Sequence, residues 1–208
     1  MTKVIPIITS APIQYSFDGH DIYDSFELVS QGKLTAPLVK NVVQILKNHK
    51  FSFATKKIKK IYTAEKGQTV ETAKLLISLG IIPNAKIIKT PLLNNINFSM
   101  RALIPKEEFI KMSQSEALSI ARKIFVEKLY KKSFIESLND IELRIKDLIS
   151  LLEKSACTSL CVSHSFYIKF FEIYTEGKNN FKNLDNLINA FNPELKPYEP
   201  LEGFDFKI

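Results

Sequence analysis

A chain of 208 residues with 45% hydrophobic residues is long enough to close a full core without metal or disulfide staples. Two cysteines form no disulfide framework, and with no second Cys/His pair they form no zinc pattern, so no metal is expected. The net charge of +7 is carried almost entirely by lysines, with arginine only at 101, 122 and 144. Its one dense cluster, KKIKK at 56–60, lacks the basic-aromatic interleaving of a nucleic-acid surface and reads as a solvated edge.

The opening MTKVIPIITS has too short an apolar run for a secretory signal, and no apolar stretch approaches ~18 residues. A cytoplasmic protein without a membrane segment is therefore expected. Val4–Thr9 reads as a buried strand. Residues 10–33 are polar, with Asp-Gly and Gln-Gly pairs, and read as a long loop. Leu34–Asn48 shows helical spacing, with Thr35 as N-cap and Pro37 in the first turn. Ile58–Thr63 reads as a second strand, Gly67–Leu79 as a helix stopped by Gly80, and Lys86–Thr90 as a third strand.

A polar loop, NNINFSM, follows. Residues 106–154 are mainly helical, in two or three pieces, and would sit beside or over the strand ends. Thr158–Ser163 is a fourth strand, followed by a helix to about Tyr174 and another over Asn183–Ala190. Gly203–Ile208 could close the sheet as a last strand. No linker, repeat or low-complexity tract divides the chain, so a single domain over 1–208 is expected, with 106–154 as a helical insert. Strand-helix alternation at this spacing predicts an α/β, three-layer arrangement: one mostly parallel sheet with helices on both faces.

One junction stands out for chemistry. In TSLCVSHSFYIKFFEIY, at 158–174, an apolar strand ends at Ser163-His164-Ser165 and a helix begins at once. Such a junction is a common place for handling phosphates. A histidine there can also simply cap and pack.

Three segments, in order and at suitable spacing, resemble the histidine phosphatase superfamily, the phosphoglycerate mutase-like proteins. IYTAEKGQTVETAKLL (61–76) is similar to the family's S-S-P-L-x-R-A-x-Q-T-A segment. LTAPLVKNVVQIL (34–46) is similar to L-T-x-x-G-x-x-Q-A, and LCVSHSFYIKFF (160–171) to V-x-H-G-x-x-I. The resemblance implies an α/β sandwich and a phosphohistidine mechanism. One histidine attacks phosphorus, arginines and a second histidine hold the phosphoryl oxygens, and a carboxylate protonates the leaving group.

Placed against that pattern, Thr9 stands at the first arginine, Ser10 at the nucleophilic histidine and Ala11 at the adjoining glycine. Gln68 stands at the second arginine. In LLNNINFSM (92–100), Asn95 stands at the acid and Ser99 at the glycine. Only His164 keeps a catalytic family position. Threonine and glutamine cannot supply the missing charge, and a serine hydroxyl is a poor nucleophile without a base. A pseudophosphatase is therefore expected, one that binds a protein partner or a small phosphorylated or polar ligand and uses no cofactor.

Ser165, Lys66 and Arg101 are candidate ligand contacts beside the altered motifs. A competing reading is an active phosphomonoesterase or mutase in which His164 activates Ser10, or His20 swings in as nucleophile. A third is a nucleic-acid-associated protein using the basic edge. Purely structural roles stand beside each: a packed His164, a solvated His20 and an acidic surface loop around Asp18, Asp21 and Asp24.

Overall fold

The computed structural model describes residues 3–31, 33–53, 57–65, 67–96, 98–131, 136–177, 183–190 and 198–208. Among the described residues five strands form one sheet: β1 (Val4–Thr9), β2 (Lys60–Thr63), β3 (Lys86–Lys89), β4 (Ser159–Ser163) and β5 (Gly203–Lys207), in the order β3-β2-β4-β1-β5. The three pairings among β1–β4 are parallel, with Thr9 opposite Ser163 and Thr63 opposite Val162. Strand β5 runs antiparallel to β1 and closes that edge, with Gly203 opposite Ile8. The register brings the carboxyl ends of β1, β2 and β4 side by side.

The central strands are apolar on both sides, as a sheet covered on both faces requires. Ile7, Tyr62 and Cys161 point into one core, and Ile8, Ile61, Leu160 and Val162 into the other. The second core is covered by α2 (Val42–Asn48) and α3 (Gln68–Ser78), through Val42, Leu46, Ala73 and Leu76. The first is covered by α1 (Ile22–Ser30), α4 (Lys106–Phe109), α5 (Gln114–Tyr130), α6 (Leu138–Lys154), α7 (Ser165–Glu176) and α8 (Leu184–Ala190). Helix α7 buries Tyr167, Ile168, Phe170, Phe171 and Ile173 there. Each fully buried side chain of this size contributes about 1.5–3 kcal/mol. The FYIKFFEIY stripe is thus core. Among the described residues, no helix is long and apolar enough to cross a membrane.

Two expectations need correction. The stretch 10–33 is not a continuous loop: α1 lies within it, capped by Asp21, whose side chain accepts from Asp24 N at 2.9 Å. Conversely, helix does not run from Leu34. Leu38 bridges to Ile13, and Gln14 N and Val39 N bond to Pro37 O and Pro12 O at 2.8 and 3.1 Å. This segment is therefore extended against residues 12–14. The residue before a proline disfavours helix, and here tertiary pairing reinforces that bias, so α2 begins only at Val42. The described residues of 106–154 form three helices, and Gly80 ends α3 with φ +72°, the left-handed conformation expected of a helix stop.

Candidate functional site

Strand β2 feeds α3 on one face of the sheet, whereas its neighbour β4 feeds α7 on the opposite face. The connections diverge at the carboxyl ends of the strands, where open α/β sheets bind ligands. Gln68 is the first residue of α3 and His164 the N-cap of α7, so they sit on the two sides of this divergence. They meet: Gln68 Nε2 lies 3.1 Å from His164 Nδ1.

That contact fixes the chemistry of the imidazole. An amide nitrogen only donates, so Nδ1 accepts and the ring proton resides on Nε2. Burial, aided by the nearby positive charge of Arg144, holds the His164 pKa down at about 4. At neutral pH His164 is therefore an uncharged Nε2–H donor. Gln68 is only 8% exposed, and its amide serves as the imidazole's orienting partner.

The end of β1 is bolted into the same corner. Ser10 N donates to Ser163 O at 3.0 Å, placing Ser10 beside the β4–α7 junction. Ala11 N donates to Thr72 Oγ1 at 2.9 Å, and Thr72 Oγ1 donates to Gln68 O at 2.7 Å, tying β1 to the first turn of α3. Thr9 is buried and turned away: its Oγ1 donates to Glu199 O at 2.7 Å. A side chain committed to the C-terminal segment holds the strand end and has no hydrogen left for a ligand.

Asn95 follows a single 3₁₀ turn, Pro91–Leu93, whose Leu93 carbonyl accepts from Ser163 Oγ at 2.8 Å. Its Oδ1 is buried without a hydrogen-bond partner. The preceding residue, Asn94, reaches the β2–α3 loop, donating to Glu65 Oε2 at 2.8 Å and accepting from Glu65 N at 3.0 Å. Thr69 Oγ1, in the first turn of α3, is likewise buried and unpartnered. Buried polar atoms of this kind are uncommon in folded proteins.

Ser165 opens α7, half-buried. Arg101 belongs elsewhere: its backbone N–H donates to Glu27 Oε2 at 3.1 Å on α1, and its side chain is exposed. His20 lies in the α1 loop, where its carbonyl accepts from Ser16 Oγ at 2.7 Å, and no described contact joins it to His164. Lys66 and Lys56 lie outside the described residues.

The residue that sequence reading passed over is Arg144. It lies on α6 between Ile141 and Leu148, at the edge of the buried stripe. Its Nη1 pairs with Glu136 Oε1 at 2.9 Å, and its Cζ stands 4.5 Å from the centroid of the Tyr167 ring, one turn beyond His164. The signal was present: one of three arginines, at i+3 and i−4 from buried apolar positions.

No protein-family model matches this chain, and no curated protein matches it. Among solved structures, a phosphoglycerate mutase from Bacillus anthracis strain Sterne is similar, with 18% identity, TM-score 0.50 and coverage of 87% of this chain and 82% of that one. YhfR of Bacillus stearothermophilus is also similar, with 15% identity, TM-score 0.55 and coverage of 89% and 83%. Both neighbours are members of the histidine phosphatase superfamily. At these identities the likeness establishes the fold, and the chain has the phosphoglycerate mutase-like α/β fold.

Proposed function

We propose that this phosphoglycerate mutase-like chain, acting as one domain, is a ligand-binding protein that does not transfer phosphoryl groups through a phosphohistidine. The observation that carries this reading is the Gln68–His164 hydrogen bond. Where the resemblance predicts an arginine poised on a phosphoryl oxygen, a neutral amide instead bonds the histidine itself. Charge-assisted contacts to phosphate are about twice as strong as neutral ones, so this exchange weakens hold on both substrate and transition state.

The same bond argues against an active Ser10. A general base needs a free lone pair within reach of the proton it removes. In His164 the Nδ1 lone pair is taken by Gln68, and Nε2 already bears hydrogen. His164 therefore offers Ser10 a donor and no base. Helices α3 and α7 both start beside His164 without a side-chain cap, which favours a polar or anionic ligand group over an apolar one.

The test is turnover of p-nitrophenyl phosphate and a panel of phosphorylated metabolites by the purified full chain. The expected result is no turnover above buffer, and no phosphate label retained on the protein. Robust turnover that disappears in His164→Ala would overturn the reading.

A further inference from the structure

The geometry points to Arg144 and Tyr167 as an oxyanion subsite beside His164, and to a carboxylate as the group it takes; this rests on the ligand-binding reading above. Arg144 spends one nitrogen on Glu136, at 2.9 Å. Its Nε and Nη2 are buried and have no hydrogen-bond partner, and the same is true of the Tyr167 hydroxyl. The guanidinium lies over the Tyr167 ring, with Cζ 4.5 Å from its centroid, which puts these donors on two side chains in contact. The Arg144 side chain as a whole retains 15% exposure.

Nε and Nη2 form one edge of a guanidinium, and two parallel N–H groups on that edge match the two oxygens of a carboxylate. The Tyr167 hydroxyl supplies a third donor from the side. Leaving such donors buried and unpaired is costly, and an anion that accepts from all three removes the cost. Charge decides between anions. A single guanidinium already shared with Glu136 cannot balance a phosphoryl dianion, and the Glu136 carboxylate would repel the second negative charge. A carboxylate brings two oxygens and one charge. Neutral His164, one turn from Tyr167, presents Nε2–H to the remainder of the ligand.

The experiment follows the side-chain Nε–H signals of the ¹⁵N-labelled full chain. Three arginines give three signals, and the one missing in Arg144→Lys is that of Arg144. Sodium acetate should shift the Arg144 signal saturably, leaving Arg101 and Arg122 in place. Chloride at matched ionic strength should leave all three unmoved. Inorganic phosphate should bind several-fold more weakly than acetate. Tyr167→Phe, which removes one oxygen and keeps the core volume, should weaken acetate binding by about tenfold, as expected for one lost hydrogen bond to a charged group. The inference is overturned if all three signals drift together without saturation, if Tyr167→Phe binds acetate as well as the parent, or if phosphate binds as tightly as acetate. Loss of the ligand-binding reading would show instead as phosphatase turnover, a separate measurement.

Discussion

His164 makes a pH-dependence prediction that can be worked through. Its pKa is held at about 4 in the folded chain against a reference of 6.5. The unfolded chain therefore binds a proton at higher pH than the folded one does. Where the unfolded state binds more protons, stability falls as pH falls. The His164 contribution is fully present above pH 6.5 and is lost between there and about pH 4. Taking the two pKa values at face value, the loss amounts to about 2 kcal/mol by pH 5 and about 3 kcal/mol once both states are protonated. Glu136 works the other way, because burial raises its carboxyl above the usual range and protonation there favours the folded state. Its contribution enters near the carboxylate range, so pH 7 to 5 isolates the histidine best.

The assay is urea unfolding of the parent and of His164→Gln at half-unit steps from pH 7 to pH 5. The glutamine variant keeps a polar side chain opposite Gln68 and cannot titrate. It should lose the downward slope of about 2 kcal/mol over that window, at constant denaturant sensitivity. Parallel slopes in the two proteins would show that His164 is solvated or charged when folded. The burial argument and the assigned tautomer would then both fail.

Two further predictions concern the frame around the site. A Cβ built on Gly203 meets Ile7 O at 1.8 Å, so Gly203→Ala should cost at least about 1–3 kcal/mol or unpair β5 from β1, read as a lowered thermal midpoint. An unchanged midpoint would mean the β1–β5 register is wrong. Cys161 is fully buried, and burial pushes its thiol up to about 12, whereas Cys157 is partly accessible. Ellman's reagent should therefore titrate one thiol in the native chain and two in denaturant, and two rapid native thiols would contradict the packing of β4.

How much of this was legible in the sequence varies with how local the cause is. Val4–Thr9 declared itself as a strand because VIPII is an unbroken apolar run, and a run buried on two sides needs no partner to be recognised. Helix α3 was readable because its face, Val70, Ala73 and Leu76, repeats at helical spacing and ends on Gly80. Helix α1 was missed because Asp24 and Glu27 interrupt its apolar face. Glu27 is buried nonetheless, since it accepts from Ser99 Oγ at 2.9 Å and Arg101 N at 3.1 Å, partners that sit more than 70 residues away in sequence. The helical spacing from Leu34 misled for the complementary reason: Leu38 is held in extended pairing by Ile13, a contact no window around it contains.

The site divides in the same way. The sequence by itself determined which residue types occupy the strand ends, and hence that Ser10, Gln68 and Asn95 bring no charge there. It also located His164 at a strand-to-helix junction. Only the tertiary structure decided that Gln68 turns its amide to His164 rather than outward, that Thr9 is spent on Glu199, and that a cation from the third helix of the 106–154 segment stands beside Tyr167. The physical reason is range. Strand and helix preferences are written within a few residues. A protonation state or an unpaired donor depends on burial and on charges brought from across the chain, which exist only once β4, α6 and α7 have packed.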